Sequence, residues 1–219
     1  MVASELTPAA QPIPRGRHAP PLKVRLEVQK HRLFDAAAMV FSKLGYAEAS
    51  AEAISRQAGM SKATFYEHFA NKEECLAALF EYATASFLEE LVAASRGAER
   101  GFEERHSAGL HAILESIETN PPLAQAILVE TVGAGPRLAE LRIATLNAFA
   151  QVMYEQTVRA AELTGGPAFT SPDEAFAIVG ATFELVSRQL RTGEPERLLD
   201  LQPLIERLTI GLLSQPPHT

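Results

Sequence analysis

From Lys23 onward, apolar residues return at three- and four-residue steps. Leu26, Leu33, Phe34, Ala37, Phe41 and Leu44, with Lys30 as the one polar exception, fall on one stripe of a helix. Gly45 ends that stripe at the position just past a helix, where glycine enters the left-handed region without steric cost. Ser50 then caps a short helix over 51–58, with Ala53, Ile54 and Ala58 facing inward. Gly59 stops it. Ser61 caps a third helix from Lys62 to about Phe69. Asn71 caps a fourth that runs to about Ser95, with Glu73 and Glu74 in its first turn, where the helix dipole favours negative charge. Its stripe is Leu76, Leu79, Phe80, Ala83, Phe87, Leu88 and Leu91.

Gly97 and Gly101 mark a turn. Further helices are predicted over about 103–119, 122–132, 136–163, 172–192 and 195–214. Pro121-Pro122, Gly133 to Pro136, Gly165-Gly166-Pro167, and Gly193 with Pro195 separate them. No alternating strand pattern of useful length is present, and no repeat has a fixed period. The fold class is therefore all-α. Residues 1–22 carry five prolines and no apolar period, so they read as a disordered tail. Arg15, Arg17 and Lys23 could form an arm that enters a minor groove, and a solvated tail is the plainer reading.

Composition narrows the class. The 219 residues are 47% hydrophobic and 21% charged, an ordinary globular mixture that excludes a wholly disordered chain. A single cysteine, Cys75, excludes a fold stapled by internal disulfides and fits a reducing cytoplasm. No apolar run is long enough to span a membrane, and the first residues lack a signal-peptide pattern. The net charge of −7 hides an asymmetry. Residues 1–75 hold ten basic and eight acidic side chains. Residues 76–219 hold ten Arg, no Lys and 19 acidic side chains. A polyanion can dock on the first third and is repelled by the rest.

That first third has the right helices to do so. Two short helices separated by Gly59-Met60, with a longer helix before them, make a helix-turn-helix, in which the second short helix presents its start to the major groove. Ser61, Lys62, Ala63 and Thr64 give that helix a small, polar leading face. Phe65 and Phe69, four apart, can bury against the other helices. Tyr66 and His68 can donate to phosphates, Lys72 can add a point charge, and Ser50 sits at another helix start.

The stretch Phe41-Ser42-Lys43-Leu44-Gly45-Tyr46, then Ile54, then Ala58-Gly59-Met60-Ser61-Lys62-Ala63-Thr64-Phe65-Tyr66-Glu67-His68-Phe69, then Asn71-Lys72-Glu73, resembles the N-terminal DNA-binding domain of TetR-family transcriptional regulators. The resemblance covers about residues 27–80. Ser55 stands where the family usually has a small apolar residue, and Ala63 where Gly is frequent. After the tail over 1–22, the resemblance implies a three-helix DNA-binding domain over 23–75 and a larger helical ligand-binding and dimerisation domain over 76–219. It implies a homodimer on double-stranded DNA, a repressor released from a palindromic operator by a small-molecule effector, with no cofactor and no catalysis. DNA contacts are then expected from Ser50, Ser61, Lys62, Ala63, Thr64, Tyr66, His68 and Lys72.

The body is read more loosely. Leu198, Leu201, Ile205, Leu208 and Leu212 step by three and four, a narrow seam. Phe176, Val179, Gly180, Phe183 and Leu190 form a stripe in the preceding helix. The pattern alone fits a dimer seam and an internal core equally, and the resemblance favours the seam. Phe87, Phe102, Leu110, Leu128, Phe149, Met153 and Phe176 are candidate ligand walls, each also a candidate core residue. The acidic, lysine-free body favours an apolar or cationic ligand. One Glu-x-x-His (Glu103 to His106) lacks the second copy that a di-iron bundle needs, so no metal is expected. Cys75 reads as a small buried residue. The rival reading is an all-α enzyme or carrier that uses the body cavity.

Overall fold

The computed structural model describes residues 21–94 and 101–213. Most of the expected tail, with Arg15, Arg17 and His18, lies outside the described residues, as do the expected helix end at Ser95 and the turn at Gly97. Among the described residues every regular element is helical. In chain order they are α1 (Leu22–Glu48), α2 (Ala51–Gln57), α3 (Lys62–His68), α4 (Lys72–Ala94), α5 (Phe102–Thr119), α6 (Pro121–Leu128), α7 (Pro136–Thr164), α8 (Pro172–Thr192), a 3₁₀ turn (Leu198–Leu201) and α9 (Gln202–Leu213).

The stop signals act as their chemistry dictates. Gly45 breaks α1 with φ +76°, Gly165 closes α7 at φ +68° and Gly193 closes α8 at φ +74°. Pro136 and Pro172 open α7 and α8, where a missing N–H costs nothing. Asn71 and Glu74 form a reciprocal cap on α4. Glu74 N–H donates to Asn71 Oδ1 at 2.8 Å, and Ala70 N–H donates to Glu74 Oε2 at 2.7 Å.

One apolar core runs through the molecule. It takes Leu33, Phe34 and Phe41 from α1, Ile54 from α2, Phe65 from α3, Leu76 and Phe80 from α4, Leu114 from α5, Ile127 from α6 and Leu138 from α7. Each fully buried side chain of this size stabilises by about 1.5–3 kcal/mol relative to exposure. Helix α1 serves both halves, because α2 and α6 both pack on it, and α6 also packs on α4.

Two helix boundaries differ from the sequence reading. The sixth helix stops at Leu128 rather than at 132. Glu130 N–H reaches back to the Gln125 carbonyl and the Thr131 hydroxyl donates to the Ile127 carbonyl, which turns the chain early. The last helix starts at Gln202 rather than at 195. Pro203 in its first turn cannot lie deep in a helix, since its ring would meet the carbonyl four residues back. Leu198 and Leu201 therefore sit in a separate 3₁₀ turn.

Candidate nucleic-acid interface

Helix α3 is positioned by aromatic packing. Phe65 is fully buried and Phe69 nearly so. The Phe69 ring stacks on Phe34 of α1 at 5.8 Å and lies 5.6 Å from Phe65. With that face turned inward, Lys62, Ala63, Tyr66 and Glu67 stay exposed, with Ser61 exposed at the helix start. Tyr66 keeps 50% of its surface, large for an aromatic ring in an ordered helix. Lys62 Nζ lies 5.9 Å from the Tyr66 ring centre, so the two are neighbours on that face.

Both short helices are capped as their serines dictate. Ser50 Oγ accepts from Ala53 N–H at 3.2 Å and Ser61 Oγ accepts from Thr64 N–H at 3.1 Å. The Ser61 and Thr64 hydroxyls are also 2.9 Å apart. Arg32, which sequence reasoning passed over, donates to the Ala58 carbonyl at 2.8 Å and closes the end of α2. Ser55, unusual for its buried position, satisfies its hydroxyl on the Ala51 carbonyl at 2.6 Å.

Two of the expected phosphate donors are engaged elsewhere. Lys72 Nζ donates to the carbonyls of Tyr46, Ala47 and Ala49 at 2.7, 2.9 and 3.0 Å. An ammonium has three protons, so in this geometry none remains for a phosphate. The reason is positional: Lys72 opens α4 beside the exit of α1 that follows Gly45. His68 is half-buried and turns toward α1, with Nε2 3.3 Å from Gln29 Oε1. Burial pulls its pKa below the ordinary histidine value, an effect only partly offset by Glu67. In contrast, Glu67 lies on the open face of α3 and was not expected there.

Against known proteins, residues 33–79 match the model of the bacterial regulatory proteins of the tetR family. Over 81 residues the chain is 36% identical to the uncharacterized HTH-type transcriptional regulator YxbF of Bacillus subtilis. Over 60 residues it is 35% identical to the fatty acid metabolism regulator protein of the same species. These alignments cover 37% and 27% of this chain, and only 21% and 31% of the relatives' own lengths. Solved structures extend the likeness of fold past this stretch. The fatty acid degradation regulator FadR of Bacillus halodurans superposes with a TM-score of 0.75 at 21% identity, over 86% of this chain and 97% of that one. FadR of Bacillus subtilis, solved with stearoyl-CoA, superposes with 0.73 at 19% identity, over 84% and 97%.

Besides the packing of α6 on α1, one carboxylate ties the head to the body. Glu130, just after α6, accepts from the Tyr46 N–H at 2.8 Å and from Gln125 Nε2 at 3.2 Å. The α1–α2 turn is thus gripped by Glu130 from the body and by Lys72 from α4. Two residues upstream, the Leu128 carbonyl accepts from Ser187 of α8 at 3.2 Å and lies 3.5 Å from Arg142 Nη1 of α7. Nothing in the local sequence marks Glu130, which lies 84 positions from Tyr46.

The body residues separate into groups. Of the expected ligand walls, Phe87, Leu110, Leu128 and Phe149 are buried core, while Phe102, Met153 and Phe176 are half-buried against it. The expected dimer seam divides. Val179, Leu198, Leu201 and Ile205 are buried within the single chain. Phe176, Gly180, Phe183, Leu190 and Leu212 are half-buried, and Leu208 keeps 41% of its surface exposed. The 3₁₀ turn is what tucks Leu198 and Leu201 under α5 and α8. Cys75 is buried, and burial pushes its thiol up to about 12, which makes it inert at neutral pH. Among the described residues no cluster of side chains fits a metal ion, and no helix is long and apolar enough to cross a membrane.

Proposed function

We propose that this protein is a sequence-specific DNA-binding transcriptional regulator that acts as a homodimer in the cytoplasm and is released from its operator by a small molecule. The observation that carries the reading is the open face of α3. Ser61, Lys62, Ala63 and Tyr66 stand clear of a core built around Phe65 and Phe69, on a head matched by a DNA-binding family over residues 33–79. Thr64, half-buried with its hydroxyl on Ser61, reads from the edge of that face. Ser50 and the start of α2 offer a second phosphate seat. The DNA-binding unit spans 23–75, and the remainder, 76–219, supplies the effector site and the dimer surface.

The outer faces of α8 and α9 suit that surface. A Cβ added at Gly180 or Gly211 would meet nothing, so both positions leave room for close helix approach. Leu208 and Leu212 supply apolar area beside them. A palindrome with half-sites about 34–36 Å apart would then be read by two copies of α3, and a change in their separation breaks one half-site. A hundredfold release needs about 2.7 kcal/mol of difference in effector affinity between the two states.

The test is selection of duplexes from a random pool by the purified chain at fixed, near-physiological salt. Enrichment of a palindrome is expected. Lys62→Ala should then lower the slope of log affinity against log salt by about one unit. Absence of any enriched sequence from folded protein, with and without stearoyl-CoA present, would overturn the reading.

A further inference from the structure

Helix α3 is anchored by one buried side chain, Phe65, and its seven residues advance by about 100° each around the helix axis. Measured from Phe65, Lys62 and His68 stand about 60° away, Thr64 and Tyr66 about 100°, and Ala63 and Glu67 about 160°. Ala63 and Glu67, one turn apart, therefore share the outermost line of the helix, and both are exposed. Whatever α3 meets, it meets first along that line.

Ala63 carries no polar side-chain atom, so Glu67 is the one side chain on the line that can make a hydrogen bond. Among the described residues it forms no hydrogen bond and no ion pair. Its charge is felt by the adjacent His68, whose pKa it raises against the larger lowering effect of burial. The His68 ring nevertheless turns away, with Nε2 toward Gln29 of α1. The carboxylate is left bare on the most advanced part of the head.

A bare carboxylate is repelled by phosphate, so its place on a DNA-facing helix needs a reason. Seven residues make α3 about 10 Å long, shorter than the ~12 Å width of the major groove. A helix that enters such a groove brings its outermost line to the floor and its flanks to the walls. Lys62 and Tyr66 stand together on one flank, where the phosphates are. Glu67 meets the floor, which is made of base edges.

A carboxylate only accepts, so it requires a donor there. Two base edges supply one, N4 of cytosine and N6 of adenine. Adenine N6 lies between two acceptors, its own N7 and O4 of the paired thymine. Cytosine N4 has an acceptor, guanine O6, on one side and a C–H on the other, so repulsion of the carboxylate is smaller. Guanine and thymine present acceptors and are rejected.

We propose that Glu67 is a specificity-determining residue that accepts a hydrogen bond from N4 of one cytosine in each operator half-site. The inference rests on the DNA-binding reading above and names a base within it. Ala63 assists by its size, which lets the backbone of α3 approach closely enough for the carboxylate to reach the floor.

The test is duplex selection from a random pool by the full chain and by its Glu67→Gln and Glu67→Ala variants. Competition binding to the enriched operator and its single-base variants follows, at one salt concentration. The parent chain should require one cytosine per half-site, with the other bases there binding about five- to hundredfold more weakly. Glu67→Ala should flatten that preference and leave the other positions intact. Glu67→Gln should shift it toward adenine, since an amide pairs with N6 and N7 together. The side chain is exposed, so the urea midpoints of both variants should match the parent's, which separates lost reading from misfolding. Retention of the parent's base profile by Glu67→Ala would overturn the proposal. Equal tightening on every sequence, the mark of a carboxylate that only repels phosphate, would do the same, as would a loss confined to a position that is not cytosine. If the parent chain enriches no sequence, the regulator reading falls and this inference with it. A palindrome read identically by all three chains overturns the role of Glu67 alone.

Discussion

Lys72→Met separates a structural role from a DNA-contact role at one residue. Methionine keeps the aliphatic stem and removes the ammonium. The loss is three charge-assisted hydrogen bonds to carbonyls at 2.7–3.0 Å and a cation–ring contact at 4.6 Å to Tyr46. A hydrogen bond to a charged group is worth about 1.5–3 kcal/mol net. Three from one group do not add, since water can reach part of the half-buried site and the freed side chain regains about 1.5–2 kcal/mol of rotamer entropy. We expect a net loss of about 2 kcal/mol. With a urea m-value of about 2–3 kcal/mol/M, the unfolding midpoint should fall by about 0.7–1 M at unchanged m. Operator affinity should weaken through disorder of the α1–α2 turn, with no change in its salt slope. A phosphate contact would instead lower that slope by about 0.9. An unchanged midpoint together with a reduced slope would refute the structural role.

The other expectations concern the cap, the latch, the reading face and a titration. Ser61→Ala should cost about 1 kcal/mol by urea titration through the lost cap on α3, and Ser50→Ala a similar amount on α2. Glu130→Ala should cost about 1–3 kcal/mol by leaving the Tyr46 N–H without its acceptor, and amide exchange at Tyr46 should accelerate. Thr64→Ala should lose about 1–3 kcal/mol at one operator position if its hydroxyl reads a base edge, scored by binding to single-base operator variants. His106 has a depressed pKa, so its folded form binds fewer protons than the unfolded chain. Its contribution is intact above the unfolded value of about 6.5 and is lost as pH falls from there toward the folded pKa. Urea midpoints between pH 7.5 and 5 should decline less steeply for His106→Leu than for the parent chain.

Much of the head is written in local sequence, and the reason is range. Caps, glycine exits and proline starts act within four residues, so Ser50, Ser61, Asn71, Gly45 and Gly193 set helix ends wherever the helices later pack. The stripe of Phe34, Phe65 and Phe69 fixes which face of α3 turns inward, and so which residues, Lys62, Ala63 and Tyr66, stay exposed. Boundary errors arose where a longer-range or less regular geometry took over, as at Pro203 and at the turn after Leu128. The tertiary structure alone decided what charged and polar atoms meet across distance. Lys72 and Lys62 are indistinguishable as sequence symbols, yet one grips three carbonyls and the other stands in solvent. Leu201 and Leu208 share a heptad-like spacing, yet packing under α5 and α8 buries the first and leaves the second open. Glu130 joins Tyr46 across 84 positions, and His106 is buried against Phe102 with its Nε2 unpartnered. Periodicity records a preference for burial or exposure, whereas the partner of a carboxylate, an ammonium or an imidazole is set by helices that meet only once the chain has folded.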